Sequence, residues 1–114
     1  MNILLVCSAG MSTSMLVQKM EEYARKHNMD IRIEASSESK FNEVIDNFDV
    51  VLLAPQVRFS KGRLEDIARP KGIPVESIDT IDYGTMNGAN VLNLAFNAVA
   101  RKQDLVNSQS LKEI

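Results

Sequence analysis

The chain of 114 residues has one cysteine, one histidine and no excess of basic charge, and each shortage closes off a class of function. A single cysteine cannot form an intramolecular disulfide, so nothing in the sequence calls for an oxidising compartment. Thirteen Lys and Arg stand against fifteen Asp and Glu, a formal net charge of −2, which gives no electrostatic reason to expect nucleic acid as a partner. Apolar runs such as Val50-Val51-Leu52-Leu53-Ala54 fall far short of the roughly 20 residues that a membrane helix needs. The first residues enter a strand-like run with no basic n-region or cleavage pattern, so a cytoplasmic location is expected. His27 has no Cys, His or acidic partner at metal-ligand spacing and is expected to be a solvated, helix-end residue.

What the chain does contain is concentrated in Cys7-Ser8-Ala9-Gly10-Met11-Ser12-Thr13-Ser14. This stretch lies between the apolar run Ile3-Leu4-Leu5-Val6 and a helical pattern that begins near Met15. The only cysteine therefore sits at the carboxyl end of a buried strand, the edge at which open α/β sheets bind ligands. A small, hydroxyl-rich loop with one glycine can turn several backbone N–H groups toward one anion, and a helix N-terminus adds to that field. The same field stabilises a thiolate. A nucleophile placed inside its own phosphate cradle points to phosphocysteine chemistry, although most free cysteines are simply small buried hydrophobes.

The rest of the chain alternates strand and helix. Leu16, Met20, Tyr23, Ala24 and His27 mark one face of the first helix, with Ser12, Thr13 or Ser14 to cap its start and Asn28 to stop it. Ile31-Arg32-Ile33-Glu34-Ala35 alternates like a half-exposed edge strand. The polar segment Ser36 to Lys40 leads into a short helix through Phe41, Val44 and Ile45, and Val50 to Leu53 is a second fully apolar strand that Pro55 ends. Lys61 to Ala68 reads as a helix, Pro74 to Ile78 as a short strand and Asp79 to Gly84 as a turn. A last helix from about Asn87 buries Val91, Leu92, Ala95 and Val99. The expectation is one α/β domain over 1–103 with a frayed tail over 104–114. A four-stranded parallel sheet of order 2-1-3-4, with helices on both faces, places the two apolar strands at the centre and Cys7 at the switch point.

Absences also narrow the chemistry of the loop. It has one glycine and no lysine, so it is neither G-x-x-x-x-G-K-[ST] nor G-x-G-x-x-G. Against the C-x5-R-[ST] loop of cysteine-dependent phosphatases, the arginine position is occupied by Thr13 and the hydroxyl position by Ser14. The cradle is kept, but the guanidinium that would hold phosphate oxygens is missing. Hydrolysis of a free phosphomonoester should then be poor, while a thiophosphate formed from a high-energy donor could await a specific acceptor.

Three stretches together resemble the enzyme IIB component of the bacterial sugar-uptake phosphotransferase system, in its lactose/cellobiose (diacetylchitobiose) branch. They are Ile-Leu-Leu-Val-Cys-Ser-Ala-Gly-Met-Ser-Thr-Ser (3–14), Asp-Val-Val-Leu-Leu-Ala-Pro-Gln (49–56) and Ile-Asp-Thr-Ile-Asp-Tyr-Gly-Thr-Met-Asn-Gly (78–88), and the likeness covers roughly 2–102. The resemblance implies a sheet close to the low-molecular-weight phosphatase fold, a three-layer sandwich. It implies that Cys7 takes a phosphoryl group from a phosphohistidine of IIA, and that this group passes to a disaccharide held by the membrane protein IIC. Contact with the membrane would then come only through IIC. The phosphate loop carries over to Ser8, Ala9, Gly10, Met11, Ser12 and Thr13, mostly through backbone N–H groups. Ala54-Pro55-Gln56 stands where Gly-Pro-Gln is common in the family. Alternatives from other classes are a low-molecular-weight cysteine phosphatase and a non-catalytic regulatory module that binds an anion.

Several further residues carry two readings. Ser12, Thr13 and Ser14 either donate hydroxyls to phosphate or only cap the helix. Ser14, Pro55, Gln56 and Tyr83 are candidates for the rim of the site. Asp79 and Asp82 resemble general acids but are expected in a solvated turn, since a phosphohistidine donor has a good leaving group. Met11 and Met15 suit either a docking surface or core filling, and Arg58, Lys61 and Arg63 are a basic cluster suited to an acidic partner or simply to solvent. No cofactor or metal is expected, because the loop supplies the positive field.

Overall fold

Apolar β-branched and leucine-rich runs form the two central strands here because they can be covered on both faces, and these two runs lie side by side. The computed structural model describes residues 1–8 and 12–112, with side chains for 1–8 and 13–102. Strands β1 (Asn2–Cys7), β2 (Arg32–Ser37), β3 (Val50–Leu53) and β4 (Val75–Ser77) form one parallel sheet in the order β2-β1-β3-β4. Register places Leu5 opposite Ala35 on one side and Leu52 on the other. The order 2-1-3-4 expected from the two apolar runs is the one observed.

Helices α1 (Ser12–Lys26) and α5 (Gly88–Lys112) cover one face, where Leu16, Met20 and Ala24 meet Val91, Leu92 and Ala95 over Ile3, Leu5 and Leu52. The short helices α2 (Phe41–Val44) and α3 (Lys61–Ala68) cover the other, with Phe41, Ile45 and Leu64 over Leu4, Val6 and Leu53. Three layers result, with an apolar core on each side of the sheet. Among the described residues no helix is long and apolar enough to cross a membrane.

The ends of the elements follow local chemistry. Asn28 adopts φ 55°, and Met29 N–H returns to Ala24 O at 2.8 Å, closing α1 in a Schellman motif at the predicted stop. Gly72, at φ 70°, ends the turn after α3 in the same way, with Ile73 N–H on Ala68 O. Gly88 answers a different demand: a Cβ there would lie 2.8 Å from the Lys19 carbonyl, so only glycine lets α5 begin this close to α1.

Two segments depart from the sequence reading. Asp79 to Gly84 is not an open turn. Helix α4 (Thr80–Gly84) occupies it, and the Asp79 carboxylate caps that helix by accepting from Ile81 N at 2.8 Å and Asp82 N at 3.3 Å. The weak periodicity after Asp104 suggested a frayed tail, whereas the backbone stays helical through Lys112.

Candidate functional site

Cys7 is the last residue of β1, and the main chain holds this strand end from both sides. Cys7 pairs with Ser37 of β2, and Ala54 N–H donates to Val6 O at 2.9 Å. The chain leaves β1 for β2 on one side and crosses to β3 on the other, so the carboxyl ends of β1 and β3 flank the topological switch point. Leu4 and Val6 face α2 and α3, while Ile3 and Leu5 face α1 and α5. Cys7 breaks this alternation and joins the α2/α3 cluster, because the chain turns off the strand there. Its side chain is 7% exposed, and its thiol makes one long bond to Ser36 O at 3.8 Å.

After Cys7, Ser8 stands exposed in a bend. Ala9, Gly10 and Met11, expected in the phosphate cradle, lie outside the described residues, as does the side chain of Ser12. Helix α1 starts at Ser12, so its N-terminal turn, the positive end of the helix dipole, stands at the Cys7 edge. Thr13, at the position where a phosphatase has its arginine, is buried, and Ser14 faces solvent.

A cleft of about 490 Å³ opens beside Cys7 and Ser8, with Glu38, Asn42, Val57 and Arg63 around it. Glu38 comes from the turn after β2 and Arg63 from the start of α3, and Arg63 Nη2 donates to Glu38 Oε1. A hydrogen bond from Ser60 and then one from Arg63 hold the Glu38 carboxyl below its ordinary range, against a smaller upward push from burial. The pair therefore stays charged to lower pH than a free glutamate would allow. Sequence reading missed Glu38 and Asn42 and treated Arg63 only as part of a surface cluster. One signal was present: a polar run, Ser36 to Lys40, at the carboxyl end of an edge strand parallel to β1, which topology must bring to the Cys7 edge.

The other expected residues are dispersed. Pro55 is buried and Gln56 exposed in the 3₁₀ segment Pro55–Ser60, and neither lines this cleft. Tyr83 is half-buried and packs against both apolar clusters, away from the cleft lining. Asp79 is a helix cap, and Asp82 accepts from Asn90 Nδ2 at 2.9 Å, so both carboxylates serve the chain after β4. The basic trio does not act as one patch: Arg58 lies 4.8 Å over the Phe59 ring, Lys61 pairs with Glu76 at 3.8 Å, and Arg63 pairs with Glu38. Met15 is exposed and does not fill the core. His27 is exposed and its ring lies 4.2 Å from that of Tyr23.

Comparison with known proteins gives a consistent result. Residues 2–94 match the family described as "PTS system, Lactose/Cellobiose specific IIB subunit". The solution structure of a cellobiose-specific phosphotransferase IIB component from Borrelia burgdorferi is 66% identical and superposes with a TM-score of 0.76, covering 90% of this chain and 94% of that one. The galactose-specific EIIB component of Lactococcus lactis subsp. cremoris is 41% identical over 100 residues, 83% of this chain and 93% of its own. A lactose-specific EIICB component of Lactococcus lactis subsp. lactis is 30% identical over 56 residues, 49% of this chain and 10% of that much longer protein.

Proposed function

The chain belongs to the lactose/cellobiose-specific IIB family of the PTS system, and on that premise we propose that it is a phosphoryl carrier in which Cys7 is the acceptor. The observation that carries this reading is the place of Cys7: a lone thiol at the end of the central strand β1, at the switch point, opening on a cleft. The thiolate attacks the phosphorus of a phosphohistidine on the IIA protein. An S–P bond forms, the P–N bond breaks, and the imidazole nitrogen leaves with the electron pair and takes a proton. A hydroxyl of a disaccharide bound to membrane IIC then attacks the same phosphorus. An O–P bond forms, the S–P bond breaks, and Cys7 is returned as thiolate while the hydroxyl proton goes to solvent or a base.

Ser8 to Thr13 cradle the phosphoryl oxygens in this reading, with the first-turn N–H groups of α1 stabilising charge that grows in the transition state. Residues 1–103 make up the carrier domain, and it works on the cytoplasmic side. The surface supports large partners. Among the described residues, Met15, Phe59 and Ile81 are large apolar side chains with 52%, 86% and 72% exposure. They lie on the segments that leave the carboxyl ends of β1, β3 and β4, so all three ring the Cys7 edge. A hydrolase for small molecules has no need of such a rim; a protein that meets other proteins around its nucleophile does. The EIICB name of a lactose-specific relative joins a IIC and a IIB part in one component, which supports IIC as acceptor.

Intact mass spectrometry tests the proposal directly. The chain is mixed with phosphoenolpyruvate, the general phosphotransferase proteins and a IIA protein of this branch. A gain of one phosphoryl group is expected, lost when IIA is left out and lost in Cys7→Ser. No gain with IIA proteins shown to be phosphorylated would overturn the carrier reading.

A further inference from the structure

The loop after Cys7 lacks the arginine that a cysteine phosphatase places six residues after its nucleophile; Thr13 stands there and is buried. A phosphoryl group on Cys7 nevertheless has a guanidinium in reach of the same cleft, because Arg63 lines it together with Cys7 and Ser8. Arginine carries five N–H donors in a planar fork that matches phosphate oxygens. Among the described residues, Glu38 engages one end of that fork, Nη2, which leaves Nε and Nη1 as donors. The Arg63 side chain is more than half exposed, so it can turn without disturbing the core.

We propose that Arg63, reaching over from α3, supplies the guanidinium that the Cys7 loop lacks and holds oxygens of the phosphoryl group once Cys7 carries it. Glu38 and Ser60 are positioning residues. Glu38 holds Arg63 over the cleft while Cys7 is free, and Ser60 bonds Glu38 in turn, so that no unpaired cation stands there and Arg63 is shared when a dianionic group arrives. This assignment rests on the carrier reading of Cys7. It also explains how a carrier differs from a hydrolase on one sheet. A loop arginine is fixed on the phosphate through every step, whereas one borrowed from a carboxylate binds the group and gives it back. The phosphoryl group is then retained for a partner and released when a better acceptor enters.

The experiment uses the full chain phosphorylated by phosphoenolpyruvate, the general proteins and IIA, with Arg63→Gln, Arg63→Lys and Glu38→Gln beside the natural chain. Arg63→Gln should be phosphorylated on Cys7 about 10- to 100-fold more slowly, with partial rescue in Arg63→Lys and a smaller loss in Glu38→Gln, which keeps the guanidinium but loosens its hold. Phosphorus NMR of the purified phosphoproteins, with no partner present, supplies a readout that a docking or folding role would not move. The phosphoryl titration should shift to higher pH in Arg63→Gln and less in Arg63→Lys, which keeps a cation at that place. A natural chain that takes up no phosphoryl group overturns both the carrier reading and this one. A natural chain that does, with Arg63→Gln matching it in rate and in titration, overturns this one alone.

Discussion

On one face of the sheet α1 and α5, 15 and 25 residues long, lie directly against each other; on the other, α2 and α3 are four and eight residues long and are flanked by 3₁₀ turns. The long-helix face is tied mainly by apolar contact and by the close approach at Gly88, with an ion pair from Arg101 of α5 to Glu76 of β4 at 2.9 Å at its edge. The short-helix face has its own apolar cluster but is also stitched by charge: Glu38 with Arg63, and Asp46 with Lys71 at 2.5 Å. The cleft beside Cys7 opens on this second face. Apolar packing is rigid and non-directional, whereas surface ion pairs are weak and exchangeable. The molecule keeps its fixed packing behind the nucleophile and its exchangeable contacts in front of it.

Paired truncations in the two layers would break this comparison most sharply. Leu92→Ala on α5 and Leu64→Ala on α3 remove side chains that are both fully buried, and each should cost about 2–5 kcal/mol by urea unfolding. The larger loss is expected at Leu92, because the longer, mutually packed helices leave the cavity less room to collapse; a larger loss at Leu64 would refute the contrast. Gly88→Ala should come next, at about 1–3 kcal/mol, since the added methyl meets backbone of α1 and cannot be relieved by a side-chain rotation. A midpoint within error of the natural chain would show that α5 can slide.

The smallest effect sharpens the other side. The Glu38 carboxyl is held below its ordinary value of 4.5, so its contribution to stability is full above that value and is lost as pH falls through the lowered one. The natural chain should exceed Glu38→Gln by under about 1 kcal/mol near neutrality, a gap that closes in acid. Urea midpoints taken from pH 7 down to pH 3 check the sign, and a gap that widens toward acid would contradict the assignment.

Much of this arrangement can be read in the chain itself. Two uninterrupted apolar runs must lie side by side and inside, which sets the strand order, and Asn28 and Pro55 end their elements by local chemistry that needs no tertiary context. Asp79 to Gly84 was misread because a capping aspartate, a threonine and a glycine also make a turn; the backbone bonds from Tyr83 N–H to Asp79 O and from Thr85 N–H to Ile81 O, both 2.9 Å, distinguish the helix. The cleft was illegible for a different reason. Glu38 and Arg63 are 25 residues apart, and each alone resembles an ordinary surface charge. Parallel strands bring them together, and a sequence carries that information only through the topology. Helix α5 beyond Asp104 lacks the apolar period that announces a helix in a sequence.

Tyr83 has an optical consequence. The chain has no tryptophan and two tyrosines, Tyr23 and Tyr83, so its emission in the tyrosine band, to which phenylalanine adds little, comes from those two rings. Tyr23 lies beside His27 and packs only against the α1/α5 cluster, while Tyr83 touches both apolar clusters. Replacing Tyr23 with phenylalanine leaves a protein whose whole tyrosine signal arises at the junction of the two layers. Light absorbed there reports whether the layers stay joined, without any attached dye.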